Sequence, residues 1–107
     1  SALSWELVGI ILNQPDARDF RVYAIAPHMH TLGTHLTVEK IATDPTKNTC
    51  MGDVPNFDFH WQAGYNYVKP IHLDKTDRLK IRCRFNTTSR TETISFGEGT
   101  EDEMCLA

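Results

Sequence analysis

The sequence predicts an all-β protein: an antiparallel, jelly-roll-like β-sandwich of about eight short strands. Three observations carry that reading. Short runs rich in Val, Ile, Thr, Tyr, Phe and Trp recur along the chain, several with period-two alternation. Turn residues (Pro, Asn, Asp and Gly) separate these runs at close intervals. No segment sustains a helical period.

Trp5 to Leu12 reads as the first strand, closed by Asn13-Gln14-Pro15-Asp16. Phe20 to Ala26 is the second. Pro27 has no N–H to give a ladder, so the residues after it belong at a strand end or edge. Gly33 lets the chain turn into His35 to Ala42, where Leu36, Val38 and Lys40 share one face and Thr37, Glu39 and Ile41 the other. Asp44-Pro45-Thr46-Lys47-Asn48 turns into a short strand over Thr49 to Met51. Phe57 to Trp61 alternates, predicting a strand whose Phe57, Phe59 and Trp61 load the core. Two short strands follow, Tyr65 to Val68 and Ile71 to Leu73, interrupted at Pro70. After the turn Asp74-Lys75-Thr76-Asp77, the strand Arg78 to Phe85 puts Leu79, Ile81, Cys83 and Phe85 on one face. Thr91 to Phe96 is the last predicted strand, and Gly97 to Asp102 a loop leading to Met104.

The 107 residues, 40% hydrophobic and 23% charged, predict one domain over 1–107 with a modest core. At that size an extra staple helps. A net charge of −3 provides no footprint for nucleic acid or anionic membranes. The longest apolar run, Leu7 to Leu12, is far short of a bilayer span. The start Ser1-Ala2-Leu3-Ser4 has neither Met nor an apolar leader, which suggests a mature or excised fragment. Three cysteines allow Cys50–Cys83, Cys50–Cys105, Cys83–Cys105 or three reduced thiols. A bridge would imply an oxidising compartment, extracellular or periplasmic. Asn86-Thr87-Thr88 fits the glycosylation sequon, a tripeptide that also arises by chance.

The chemistry-bearing stretch is Pro27-His28-Met29-His30-Thr31-Leu32-Gly33. Residues i and i+2 of a strand share a face, roughly 6–7 Å apart at ~3.3 Å rise per residue. His28 and His30 can therefore converge on one ion, while Met29 faces away into packing. Near the other end, Glu103-Met104-Cys105 is a candidate partner for that pair.

Three blocks carry a family resemblance: Ala26-Pro27-His28-Met29-His30-x-x-Gly33, Phe59-x-Trp61-Gln62-x-x-Tyr65, and Gly97-x-x-Thr100-x-Asp102-Glu103-Met104-Cys105-Leu106-Ala107. In this order the chain resembles the C-terminal domain of copper type II, ascorbate-dependent monooxygenases, the peptidylglycine- and dopamine-hydroxylating enzymes and their short bacterial relatives. The resemblance implies one copper ion held by His28, His30 and Met104. It further implies activation of dioxygen to hydroxylate a C–H bond of a small organic substrate. Electrons would come from an external donor or a second copper domain. It also implies a Cys83–Cys105 disulfide, which leaves Cys50 free, buried and away from the copper.

The chain departs from the family at two positions. Peptide-amidating members carry an arginine two residues before the first histidine and an asparagine two after the methionine; Ala26 and Leu106 stand here, so peptide amidation is not implied. The chain also has no adjacent histidine pair of the kind that builds the family's second copper site. His35, His60 and His72 match no ligand position and read as surface or hydrogen-bonded histidines. Glu98, Glu101, Asp102 and Glu103 read as a solvated loop, from which one carboxylate could orient a ligand histidine. Two other readings are weighed. One is a copper-binding module without oxygenase activity, serving carriage, sensing or electron transfer. The other is a cupin-like metal site, because His28-x-His30-x4-His35 approximates that spacing; it would make His35 essential and Met104 dispensable.

Overall fold

The computed structural model describes residues 2–10, 19–92, 94–95, 97–100, 102 and 104–107; for residues 2–10 and 20 it describes the backbone only. Among the described residues, eight strands run in order: β1 (Ala2–Ile10), β2 (Phe20–Ile25), β3 (His28–Met29), β4 (Gly33–Ile41), β5 (Thr49–Val54), β6 (Tyr65–Leu73), β7 (Arg78–Asn86) and β8 (Cys105–Leu106). They form a four-stranded sheet of order β1-β7-β4-β5 and two ribbons, β2-β6 and β3-β8. Each of these pairings is antiparallel. The expected all-β, antiparallel, sandwich-like fold is what forms.

Alternation along β4 and β7 builds the inner face of the large sheet. Leu36 and Val38 on β4 and Cys83 and Phe85 on β7 are all nearly inaccessible to solvent. Val22 and Ile25 of β2, with Tyr67 and Ile71 of β6, pack against that face from the opposing ribbon. The Tyr67 hydroxyl donates to the Met51 carbonyl at 2.6 Å. Burial, and secondarily the Cys50 thiol, pushes the Tyr67 phenol upward from its ordinary value. Asp74 closes the β6–β7 turn, its Oδ1 accepting from the Thr76 hydroxyl and backbone N–H. Those bonds favour the ionised form and hold its carboxyl below the usual range.

Four expectations are corrected. Phe57 to Trp61 is no strand: Phe59–Trp61 is a 3-10 turn, capped by Asp58, whose Oδ1 accepts from the His60 N–H at 2.9 Å. An aspartate that bonds the backbone two residues on offers the chain an alternative to a ladder. Phe57 still reaches the core, but Trp61 is 83% exposed. Pro70 does not split β6, because it lies where the β2–β6 register is interrupted, between the Val22–Ile71 and Ala24–Asn66 pairs. A proline in that gap withholds no ladder hydrogen bond. Of the predicted strand Thr91 to Phe96, the described residues 91–92 and 94–95 are not extended in a sheet. Cys50 is unpaired but exposed rather than buried, since β5 directs Met51 inward and its neighbour outward. Residues 11–16, with the predicted end of the first strand and its turn, lie outside the described residues.

The chain reverses just after β3, where the Gly33 N–H donates to the His30 carbonyl at 3.0 Å. Gly33 is buried there against fully buried Met29: a Cβ on residue 33 would lie 2.6 Å from the Met29 Cβ and 2.7 Å from its Sδ. Because a Cβ cannot swing aside as a side-chain tip can, Gly33→Ala is expected to lower stability by about 1–3 kcal/mol in urea denaturation. Cys83 and Cys105 form a disulfide, 22 residues apart in sequence. The double variant Cys83→Ser/Cys105→Ser is expected to lose about 3 kcal/mol by the same measurement, the chain-entropy value for a loop of this size.

Candidate metal centre

β3 pairs with β8 in the register His28–Leu106 and Met29–Cys105. Alternation sends Met29 and Cys105 into the core, where both are buried. The histidines on either side of Met29 are thereby directed to the other face of the ribbon. Their rings stand 5.1 Å apart between centroids and nearly perpendicular. The structure brings His28 and His30 together, and Met104 stands one residue before Cys105, the residue paired with Met29. Cys83 joins Cys105, next to Met104, to the inner face of β7.

The two imidazoles differ in their surroundings. The Gln62 amide N–H donates to the Phe59 carbonyl at 2.9 Å, so its Oε1 faces His28 Nδ1, 2.6 Å away. A carbonyl oxygen only accepts, which makes Nδ1 the protonated nitrogen of neutral His28 and leaves the Nε2 lone pair free. His30 is 5% exposed, packs edge-on against Phe59, and its Nδ1 has no hydrogen-bond partner. Such an orphaned polar atom is uncommon in a folded interior and calls for an explanation, an ion among them.

Among the described residues, no three His, Cys, Asp or Glu side chains lie close enough to hold a metal. Met104, half-buried, carries the thioether nearest in sequence to the segment paired with β3. Two imidazoles and a thioether suit copper, in particular Cu(I).

The other histidines are engaged elsewhere. His35 Nε2 pairs with Asp53 at 2.6 Å, and His72 Nε2 with Asp19 at 3.2 Å; His60 is exposed. Among the described residues, His28, His30 and His35 do not come together as a metal-holding group, as a cupin-like site would need. The group hydrogen-bonded to His28 is Gln62. Asp102 Oδ2 accepts from the Gly99 N–H instead, while Glu101 and Glu103 lie outside the described residues. Gln62 stood in the second sequence block without a role; the Asp58 cap and the amide beside it were the signal of a turn presenting that side chain.

The fold and site define a small antiparallel sandwich with an edge-strand histidine pair facing a methionine-bearing segment. Residues 13–107 match the family described as copper type II ascorbate-dependent monooxygenase, C-terminal domain. The chain belongs to this family, a module of the copper monooxygenases. It is similar to the dopamine beta-hydroxylase of the dog, Canis lupus familiaris, at 29% identity over 79 residues, which is 70% of this chain and 13% of that protein. The chain therefore spans about one eighth of that relative.

The Gln62 contact has a direct consequence. Neutral His28 is expected to be the Nδ1–H tautomer in long-range 1H–15N spectra, and Gln62→Leu to abolish that preference. The same substitution is expected to weaken copper binding about ten- to hundredfold in a competition titration, the usual cost of removing a partner that orients a ligand.

Proposed function

We propose that this chain is the mononuclear copper module of a copper-dependent monooxygenase that hydroxylates a C–H bond of a small organic substrate. His28, His30 and Met104 would hold one copper ion. The observation that carries this reading is the pair of imidazoles on one face of β3, one with a buried, unpartnered nitrogen and the other oriented by Gln62, opposite the methionine segment.

When bound, copper supplies one-electron chemistry and a site at which dioxygen can be activated. The protein's own residues do the rest. Gln62 holds a proton on His28 Nδ1 and so keeps Nε2 as a donor. Phe59, packed edge-on against His30, keeps water from one side of its ring. An open cleft of about 410 Å³, lined by Thr31, Gly33, Thr34, Phe57, Phe59 and His60, lies against Phe59, the ring that packs on His30. Electrons come from an external donor or a second copper domain. Dioxygen and an organic compound are the partners, and the net charge of −3 argues against nucleic acid. The disulfide supports an extracellular or periplasmic setting. Among the described residues, no helix is long and apolar enough to cross a membrane.

The test is copper binding followed by carbon monoxide binding to the reduced protein. One Cu(I) per chain is expected, with one carbon monoxide per copper by infrared spectroscopy. His28→Ala and His30→Ala should each weaken copper binding by at least about a hundredfold, given that each removes one of three ligands. Met104→Ile should weaken Cu(I) selectively, and His35→Ala should change nothing. Copper retained by both histidine variants would sink the proposal. A copper site that refuses carbon monoxide would point to carriage or electron transfer instead.

A further inference from the structure

The thioether is the weakest of the three proposed donors, so its usefulness depends on how firmly the chain presents it. Met104 follows a loop that contains Gly97 and Gly99, residues whose freedom would otherwise scatter its position. The structure shows two ties on that loop. Asp102 N–H donates to the Gly99 carbonyl at 2.9 Å while Asp102 Oδ2 accepts from the Gly99 N–H at 3.2 Å, closing a small turn. The carbonyl of Thr100, within that turn, accepts twice from Thr31: from its N–H at 3.3 Å and from its hydroxyl at 2.8 Å.

Thr31 is the residue immediately after His30. On the other side of Met104, Cys105 pairs with Met29, the residue immediately before His30. The two neighbours of one proposed ligand are thus tied to the segments on either side of the other. The ladder and disulfide secure the downstream tie; the upstream tie depends on Thr31, whose side chain is exposed and takes no part in the core.

We infer that Thr31 is a positioning residue for Met104, its hydroxyl and N–H clamping the Thr100 carbonyl so that the sulfur-bearing loop keeps its place beside His30. The inference rests on the copper reading above. It concerns the sulfur, because His28 stands on β3 against Gln62, and His30 is held by Phe59 at its ring and by the Gly33 N–H at its carbonyl, whether or not the loop is clamped. A thioether contributes to Cu(I) far more than to Cu(II). Loosening the loop should therefore change the balance between the two oxidation states rather than copper binding in general.

The test compares Thr31→Val, Thr31→Ser and Met104→Ile with the parent chain. Cu(I) and Cu(II) affinities are measured separately by chelator competition, and copper–sulfur scattering by X-ray absorption on the Cu(I) form. Thr31→Val keeps the backbone bond and the β-branched shape but loses the hydroxyl. It should weaken Cu(I) binding roughly fivefold to tenfold, the worth of one neutral hydrogen bond, and diminish the sulfur signal without changing Cu(II) affinity. Thr31→Ser should restore both. Equal weakening of the two oxidation states, or no weakening of either, would overturn the role given to Thr31. If Met104→Ile itself left the Cu(I) affinity and sulfur signal intact, the sulfur ligand would be wrong and the clamp with it. A Met104→Ile loss with a silent Thr31→Val would remove only the clamp.

Discussion

The site depends on the pairing of two strands that are each only two residues long, β3 and β8. A ladder that short has little stability of its own, because each residue ordered costs about 1–2 kcal/mol of backbone entropy against few hydrogen bonds. What holds it is the core behind it. Met29 and Cys105 are buried side by side, the disulfide joins Cys105 to Cys83 on β7, and Gly33 lets the backbone close down on Met29. The histidine face is thus anchored by the opposite face of the same ribbon.

This arrangement divides the work between the two sides of one strand. Inward residues commit β3 to the sandwich, and outward residues are left free for chemistry. Alternation makes that possible: two imidazoles project together only because the residue between them projects the other way. The 3-10 turn at Phe59–Trp61 closes the site from the side, with Phe59 against His30 and Gln62 against His28. A scaffold strand thus supplies the donors and a capped turn supplies their orientation, an arrangement that holds a site more firmly than loops alone.

Much of this was legible in the chain itself. The β4 and β7 faces followed from period-two alternation, because strands with one buried face must write their burial into the sequence. The histidine pair followed from the same rule. Phe57 to Trp61 misled because it alternates as a strand does, while Asp58 writes a competing local instruction into the middle of it. Pro70 misled in the opposite sense, since a proline is harmless wherever the partner strand has slipped out of register. Cys50 was expected inside because a free thiol near copper would be hazardous, yet on β5 the inward position belongs to Met51.

The sequence by itself determined the all-β class, the strands of the main sheet, the two histidines on one face and the family to which they point, because each is written in local spacing or in short contiguous blocks. Only the tertiary structure decided which cysteines meet, that the segment of Met104 runs against that of His30, that Gln62 is hydrogen-bonded to His28, and that Thr31 reaches Thr100. Those are contacts between residues 22 to 78 positions apart in the chain. Their geometry depends on how the strands pair across the sandwich, which no local pattern encodes.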